Sequence, residues 1–254
     1  SFYYLKKFSS SDTYLVSFDV NKNYEKWEEK IKLDDLKVNY SLSNITLDIN
    51  EKNDVLISGT CDYLSEKALK YPGYVQGELR GSFFMRVDNY SKEFVVNKIS
   101  FFSKEFLNSF RTEKQIKRDE QAYIPDNYSI TKILSKKDGG CILIAESFSI
   151  STFKSGSMLN FSDILIINIS NAGNIIWQNR IRKWQVGTKS FYNSFSSLLR
   201  NMRYFSYSAG YSEKTLYILY NQSPENLGKS VEQEIDFCKS HKGVPVVTSI
   251  DLVT

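Results

Sequence analysis

Apolar and polar positions alternate along this chain in pairs of short runs that are separated by polar turns. Three pairs share one pattern, in which an apolar run leads through a turn rich in Asn, Ser or Lys into a second run, at 14–27, 83–96 and 164–177. A fourth copy begins at 246. Alternating runs that are joined by such turns predict antiparallel hairpins. We therefore expect an all-β protein.

A second kind of hairpin pattern alternates with the first and occurs at 45–59, 130–145 and 204–220. Each repeat thus carries four strands, and repeated four-stranded antiparallel units are typical of propeller blades. The pattern predicts one propeller-like repeat domain over 1–254, with units at about 1–40, 41–126, 127–203 and 204–254. Three units and a fragment do not close a ring, so the chain is expected to be part of a longer one.

The units are longer than the roughly 40–50 residues of a compact blade, which predicts long insertions. They are expected at about 62–81, 101–126, 150–162, 182–203 and 221–243. Mixed charge with spaced apolar residues predicts a helix over 104–117, and an apolar stripe predicts a second one over 191–202.

Composition narrows the classes of function. The 33 basic and 29 acidic residues are well mixed and give a net charge of +4, which argues against a nucleic-acid partner. No apolar run approaches the roughly 18 residues that are needed to span a bilayer. The three cysteines lie in neither a zinc-site nor a CxxC spacing, so buried free thiols are expected.

Two stretches, DGGCILIAES (138–147) and DILIINISNAGNIIWQNRI (163–181), each contain a glycine turn that lies between two apolar runs of the chain. They resemble repeat proteins that are common in the Bacteroidota, and the likeness extends over about 128–227. The chain departs from that pattern at Ala145, Asn168 and Ser170. The resemblance implies a propeller-like fold and an exported protein in the periplasm or on the cell surface. It also implies lipoproteins or accessory subunits around outer-membrane transporters as the setting, with any lipid anchor outside this chain.

The candidates for catalysis are few. His241 is the only histidine, which excludes a multi-histidine metal site. Glycoside hydrolysis needs two carboxylates about 5–10 Å apart, and Glu146, Asp163 and Asp138 are possible members of such a pair. These acids are more typical of turns and strand ends. No catalytic, cofactor-binding or metal-binding residue is predicted.

An aromatic and basic segment is the best candidate for a binding surface. Arg and Trp are the residue types that are favoured at interface hot spots. The alternative is an edge strand protected by charge. The binding residues predicted here are Trp177, Arg180, Arg182, Trp184, Phe191 and Tyr192.

Two functions from different classes follow. The leading hypothesis is a non-enzymatic binding or scaffold subunit that docks, without a cofactor, on a larger protein complex of the bacterial outer membrane. The alternative is a propeller that binds or hydrolyses a glycan. An enzyme should bring carboxylates together in one concave pocket, whereas a scaffold should present an aromatic or apolar surface.

Overall fold

The computed structural model shows an all-β protein made of several small, mainly antiparallel sheets. The residues that it describes are 2–7, 13–19, 23–32, 40–64, 78–111, 113–118, 124, 128–153, 156–190, 206–212, 214–229, 233–239 and 242–252. The predicted fold class is thereby confirmed at the level of all-β.

The first sheet has three antiparallel strands in chain order. They are β1 (Phe2–Lys7), β2 (Thr13–Asp19) and β3 (Glu25–Lys30). Strands β2 and β3 pair in the register Tyr14 opposite Lys30. This pairing confirms the hairpin predicted at 14–27.

The second sheet is a four-stranded antiparallel meander. Its strands are β4 (Tyr40–Ile49), β5 (Val55–Tyr63), β6 (Glu78–Val87) and β7 (Phe94–Phe101). The inner strands β5 and β6 are buried on both faces, whereas β4 and β7 are mostly half-buried. The apolar stretches of these inner strands, 55–57 and 83–85, accordingly do not alternate with polar residues. The hairpins predicted at 45–59 and 83–96 are confirmed by the pairs β4–β5 and β6–β7.

Two short helices follow the meander, where the sequence predicts a helix over 104–117. They are α1 (Lys104–Asn108) and α2 (Glu113–Lys117). The hydroxyl of Ser103 accepts a hydrogen bond from the Phe106 backbone N–H at 3.1 Å and so caps α1. The other predicted helix, over 191–202, lies outside the described residues.

The third sheet is the largest. Its strands are β8 (Tyr128–Ser135), β9 (Cys141–Phe153), β10 (Gly156–Ile169), β11 (Ile175–Ile181), β12 (Gln185–Ser190) and β15 (Cys238–Lys239). The order is β15-β12-β10-β9-β8, and β11 also pairs with β10. The insertion predicted at 150–162 was wrong for most of its length, because β9 and β10 extend into it. Alternating apolar residues such as Leu159 and Phe161 carry the strand period there.

The fourth sheet is three-stranded and antiparallel. It consists of β13 (Tyr207–Tyr211), β14 (Thr215–Gln222) and β16 (Val244–Asp251), in the order β13-β14-β16. A 3₁₀ helix, Pro224–Asn226, follows β14. Leu216, Ile218 and Tyr220 are buried, whereas Tyr217 and Leu219 between them are exposed. This alternation is the one expected of a strand with one covered face.

The chain divides into two compact units. The first comprises 1–125, 132–144 and 167–178, and the second comprises 126–131, 145–166 and 179–254. An apolar core lies between the first two sheets in the first unit. Its buried members are Leu15, Ile31, Val55, Ile57, Phe83, Met85 and Val87. In the second unit, Leu159 and Phe161 form a smaller cluster with Phe148.

Candidate functional site

A lysine lies fully buried in the second unit, two residues before β12. The Lys183 side chain has no solvent-exposed surface, although lysine is almost never buried without a partner. Its ammonium forms an ion pair with Glu146 and donates a hydrogen bond to Gln185 Oε1 at 3.0 Å. The Lys183 Nζ atom also lies 5.8 Å from the centre of the Phe161 ring. These partners replace the water that burial removes.

Further hydrogen bonds connect this ion pair to three other strands or loops of the same unit. Glu146, on β9, accepts from the Ser206 hydroxyl at 2.6 Å. The Ser206 backbone N–H donates to Gln185 Oε1 at 2.7 Å, and Gln185 Nε2 donates to the carbonyl of Asn221 at 2.8 Å. Both ends of the buried Gln185 amide are therefore hydrogen-bonded.

A second buried carboxylate holds the backbone of the same segment. Asp163, on β10, accepts from the Lys183 backbone N–H at 3.2 Å. Its other oxygen accepts from Arg180 Nε at 2.6 Å and also contacts Arg180 Nη2. The Arg180 guanidinium is thus directed at Asp163, and it helps to fix the end of β11.

Burial sets the electrostatics of this network. Desolvation lowers the pKa of Lys183, and the neighbouring Glu146 carboxylate opposes that shift. Burial raises the pKa of Tyr207 to about 12, against the hydrogen bond between its hydroxyl and that of Thr131. Glu146 and Asp163, which the sequence offers as possible glycosidase acids, are 3% and 5% exposed and lie in ion pairs. Their geometry is that of a structural network.

An exposed aromatic pair lies beside this network. The Cys238 backbone N–H donates to the Trp184 carbonyl at 2.6 Å, and Gln185 pairs with Cys238 in a parallel bridge. Trp184 and Phe237 precede these two residues, and their rings lie 5.7 Å apart in an edge-to-face arrangement. Trp184 is 41% exposed and Phe237 is 44% exposed.

Two further residues, Arg182 and Leu227, lie close in the chain to this pair or to residues that are hydrogen-bonded to its segment. Arg182 donates from Nη1 to the carbonyl of Gln233 at 2.7 Å. Leu227, which is 58% exposed, follows Asn226, whose side chain makes two hydrogen bonds of 2.7 Å to the backbone of Asp236. We call the residues Arg182, Trp184, Leu227 and Phe237 the Trp184 surface.

The predicted binding residues have different surroundings in the structure. Arg182 and Trp184 are both part of the Trp184 surface, whereas Arg180 is held by Asp163. Trp177 belongs to the first unit and is half-buried, and its buried Nε1 has no hydrogen-bond partner among the described residues. The remaining candidates, together with the histidine considered above, lie outside the described residues: Phe191, Tyr192 and His241.

Sequence reasoning missed both the buried network and half of the exposed surface. Phe237 could have been found as an isolated aromatic in the polar stretch 228–243. No sequence signal marks Lys183 or Gln185 as buried, because their residue types indicate exposure. Their burial depends on partners that are distant in the chain.

The cysteines behave as the sequence predicts. Cys61, Cys141 and Cys238 are free and buried, and burial raises the pKa of the Cys61 thiol to about 12. Within the part of the chain that the structure describes, no group of three or more His, Cys, Asp or Glu side chains could hold a metal ion. In that same part, no helix has the length and apolar character to cross a membrane.

The glycine-containing turns of the two resemblance motifs have the same geometry. Lys136 N–H donates to the Gly140 carbonyl and Ser170 N–H to the Asn174 carbonyl, both at 2.9 Å. Gly139 and Gly173 occupy the left-handed positions, with φ of +90° and +81°. No protein-family model matches the chain, and searches of curated proteins and of solved structures also find no match. The likeness to Bacteroidota repeat proteins stays a prediction from these motifs.

Proposed function

We propose that this protein is a non-enzymatic binding subunit and that a protein partner docks on the Trp184 surface. One observation carries the proposal: the rings of Trp184 and Phe237 are each more than two-fifths exposed and pack against each other. Large aromatic side chains supply much of the binding energy at protein interfaces, and Arg is enriched beside them. The surface combines these residue types with Leu227.

The backbone beneath this surface is firmly held, which favours binding without rearrangement. Lys183 and Gln185, the neighbours of Trp184, have no exposed surface, and Cys238, the neighbour of Phe237, is 3% exposed. Both aromatic residues therefore protrude from segments that are fixed by buried contacts. A preorganised surface loses less conformational entropy on binding.

The setting of this binding function is proposed from the sequence. The repeats support a propeller-like arrangement of the sheets, and the motif resemblance supports an outer-membrane assembly and an extracytoplasmic location. The alternative is a glycan-binding or glycan-hydrolysing propeller. The ion pairs of Glu146 and Asp163 favour the scaffold function, because these carboxylates are already neutralised by Lys183 and Arg180.

Affinity purification from the native organism under mild detergent, followed by mass spectrometry, tests the proposal. The wild type is compared with Trp184→Ser and with Tyr217→Ser, a matched exposed aromatic of the same unit that is 47% exposed. We expect a stoichiometric protein partner with the wild type and with Tyr217→Ser, and about tenfold less with Trp184→Ser. Circular dichroism checks that each variant is folded.

Two results would contradict the proposed function. One is a wild-type protein that is recovered without a partner. The other is equal recovery of the partner with Trp184→Ser and with the wild type.

A further inference from the structure

A polar groove lies on the first unit, between the meander and the turn at 170–174. The groove is open to solvent, and its volume is about 470 Å³. Strands β6 and β7 supply Arg86, Asn97 and Lys98, and the turn supplies Asn171. Two valines of β7 and an alanine of the turn complete the lining.

The turn is fixed against β7, so this wall of the groove is already formed. The Ser100 hydroxyl donates to the Gly173 carbonyl at 3.0 Å, and Lys98 Nζ donates to the Asn174 side chain. A Cβ atom at Gly173 would lie 2.9 Å from Lys98 Cβ and 3.2 Å from a methyl group of Val96. This close approach and the positive φ require glycine at that position.

The charge of the groove favours a monoanion. Arg86 and Lys98 are the two charged residues of the lining, and Asp54 lies with one carboxylate oxygen 4.0 Å from Arg86 Nε. Two positive charges and one negative charge give a net charge of +1. A carboxylate would balance this charge, whereas a phosphate dianion would exceed it.

Arg86 also has unused hydrogen-bonding capacity. Its Nε is buried and has no hydrogen-bond partner among the described residues, since Asp54 is too distant for a hydrogen bond. The Arg86 side chain as a whole is 23% exposed, and it lines the groove. A guanidinium that is not saturated by carboxylates can bind one through two parallel hydrogen bonds.

We propose that this groove binds the carboxylate of a small hydroxylated acid. Arg86 binds the carboxylate and Lys98 adds a second positive charge. The amide of Asn171 contributes hydrogen-bonding groups for hydroxyls. The proposal is independent of the Trp184 surface, because it rests on residues of the other unit.

Isothermal titration calorimetry with sodium D-glucuronate tests the proposal, with D-glucose as the neutral comparison and inorganic phosphate as the competing oxyanion. We expect saturable binding of glucuronate, weaker binding of phosphate and no binding of glucose. Arg86→Gln removes a charge-assisted hydrogen bond, and Ala172→Glu adds a carboxylate that repels the ligand. Each variant should weaken glucuronate binding about tenfold or more. The matched control Lys214→Gln changes an exposed lysine of the second unit and should bind as the wild type does.

Ala172→Glu keeps the test decisive if Arg86→Gln fails to fold, because Ala172 is exposed in the turn. The proposal is overturned if glucuronate does not bind, if glucose binds equally well, or if phosphate binds more tightly. It is also overturned if folded Ala172→Glu binds glucuronate with wild-type affinity.

Discussion

A buried ion pair distinguishes the interior of the second unit from the apolar core of the first. The core between the first two sheets is made of aliphatic and aromatic side chains, with Leu15, Val55 and Ile57 fully buried. The interior of the second unit includes a lysine and a glutamate that are hardly exposed at all. Similar hairpin patterns thus support both an apolar core and a buried polar network.

The two interiors differ in what a buried side chain needs in order to be stable there. Apolar burial is non-directional, so each side chain contributes roughly in proportion to the area it removes from water. A buried charge is tolerated only while its partner is present, because the desolvation cost is then offset by the pair. Substitutions should therefore add up in the first interior and compensate each other in the second.

The largest effect is expected from Lys183→Met. This change leaves the Glu146 carboxylate buried without its cation, which should lower the free energy of unfolding by about 3–5 kcal/mol. Adding Glu146→Gln removes the stranded charge and should restore most of that loss. Urea denaturation, followed by circular dichroism and tryptophan fluorescence, measures both the loss in the single variant and the recovery in the double variant. A double variant as unstable as the sum of the two singles would contradict the comparison.

A somewhat smaller effect is expected in the apolar core. Leu15→Ala removes a fully buried side chain and should cost about 2–5 kcal/mol, depending on how far the cavity collapses. Adding Ile57→Val should cost about 0.5–1.5 kcal/mol more. The same denaturation experiment tests this prediction. If the double variant were more stable than Leu15→Ala alone, substitutions would compensate each other in the apolar core as well, and the comparison would be contradicted.

The smallest effect concerns Asp62, an acid at the end of β5 in the first unit. Burial raises the pKa of this carboxyl, although it accepts a hydrogen bond from Ser43. The folded state therefore holds the Asp62 proton more tightly than the unfolded state does. The free energy of unfolding should rise as the pH falls from above the raised pKa of the folded state to the lower pKa of the unfolded state. Asp62→Asn should add about 0.5–1 kcal/mol at pH 7.

The pH dependence separates this prediction from a general stabilisation. Urea midpoints of the wild type and of Asp62→Asn, measured between pH 4 and 7, should converge at the acidic end. A constant difference across that range would show that the titration of Asp62 is not its source.

Much of the secondary structure was predictable from local pattern. The hairpins β2–β3 and β6–β7 follow from alternating runs and polar turns, and the pairing of β14 with β16 includes the fourth run. The prediction of an insertion at 150–162 was wrong because β9 and β10 extend into it, and β10 pairs there with β12. The predicted binding segment around Trp184 lies at an exposed surface, but its aromatic partner Phe237 was missed.

Local alternation of apolar and polar residues is sufficient to specify strands and turns, since side chains on a strand alternate between its two faces. It is not sufficient to specify which polar residues are buried. Lys183, Glu146 and Gln185 meet only when β9, β12 and the backbone at Ser206 are brought together, and each is stable there because the others satisfy it. The packing of Trp184 against Phe237 has the same origin, since 53 positions separate 184 from 237 in the sequence.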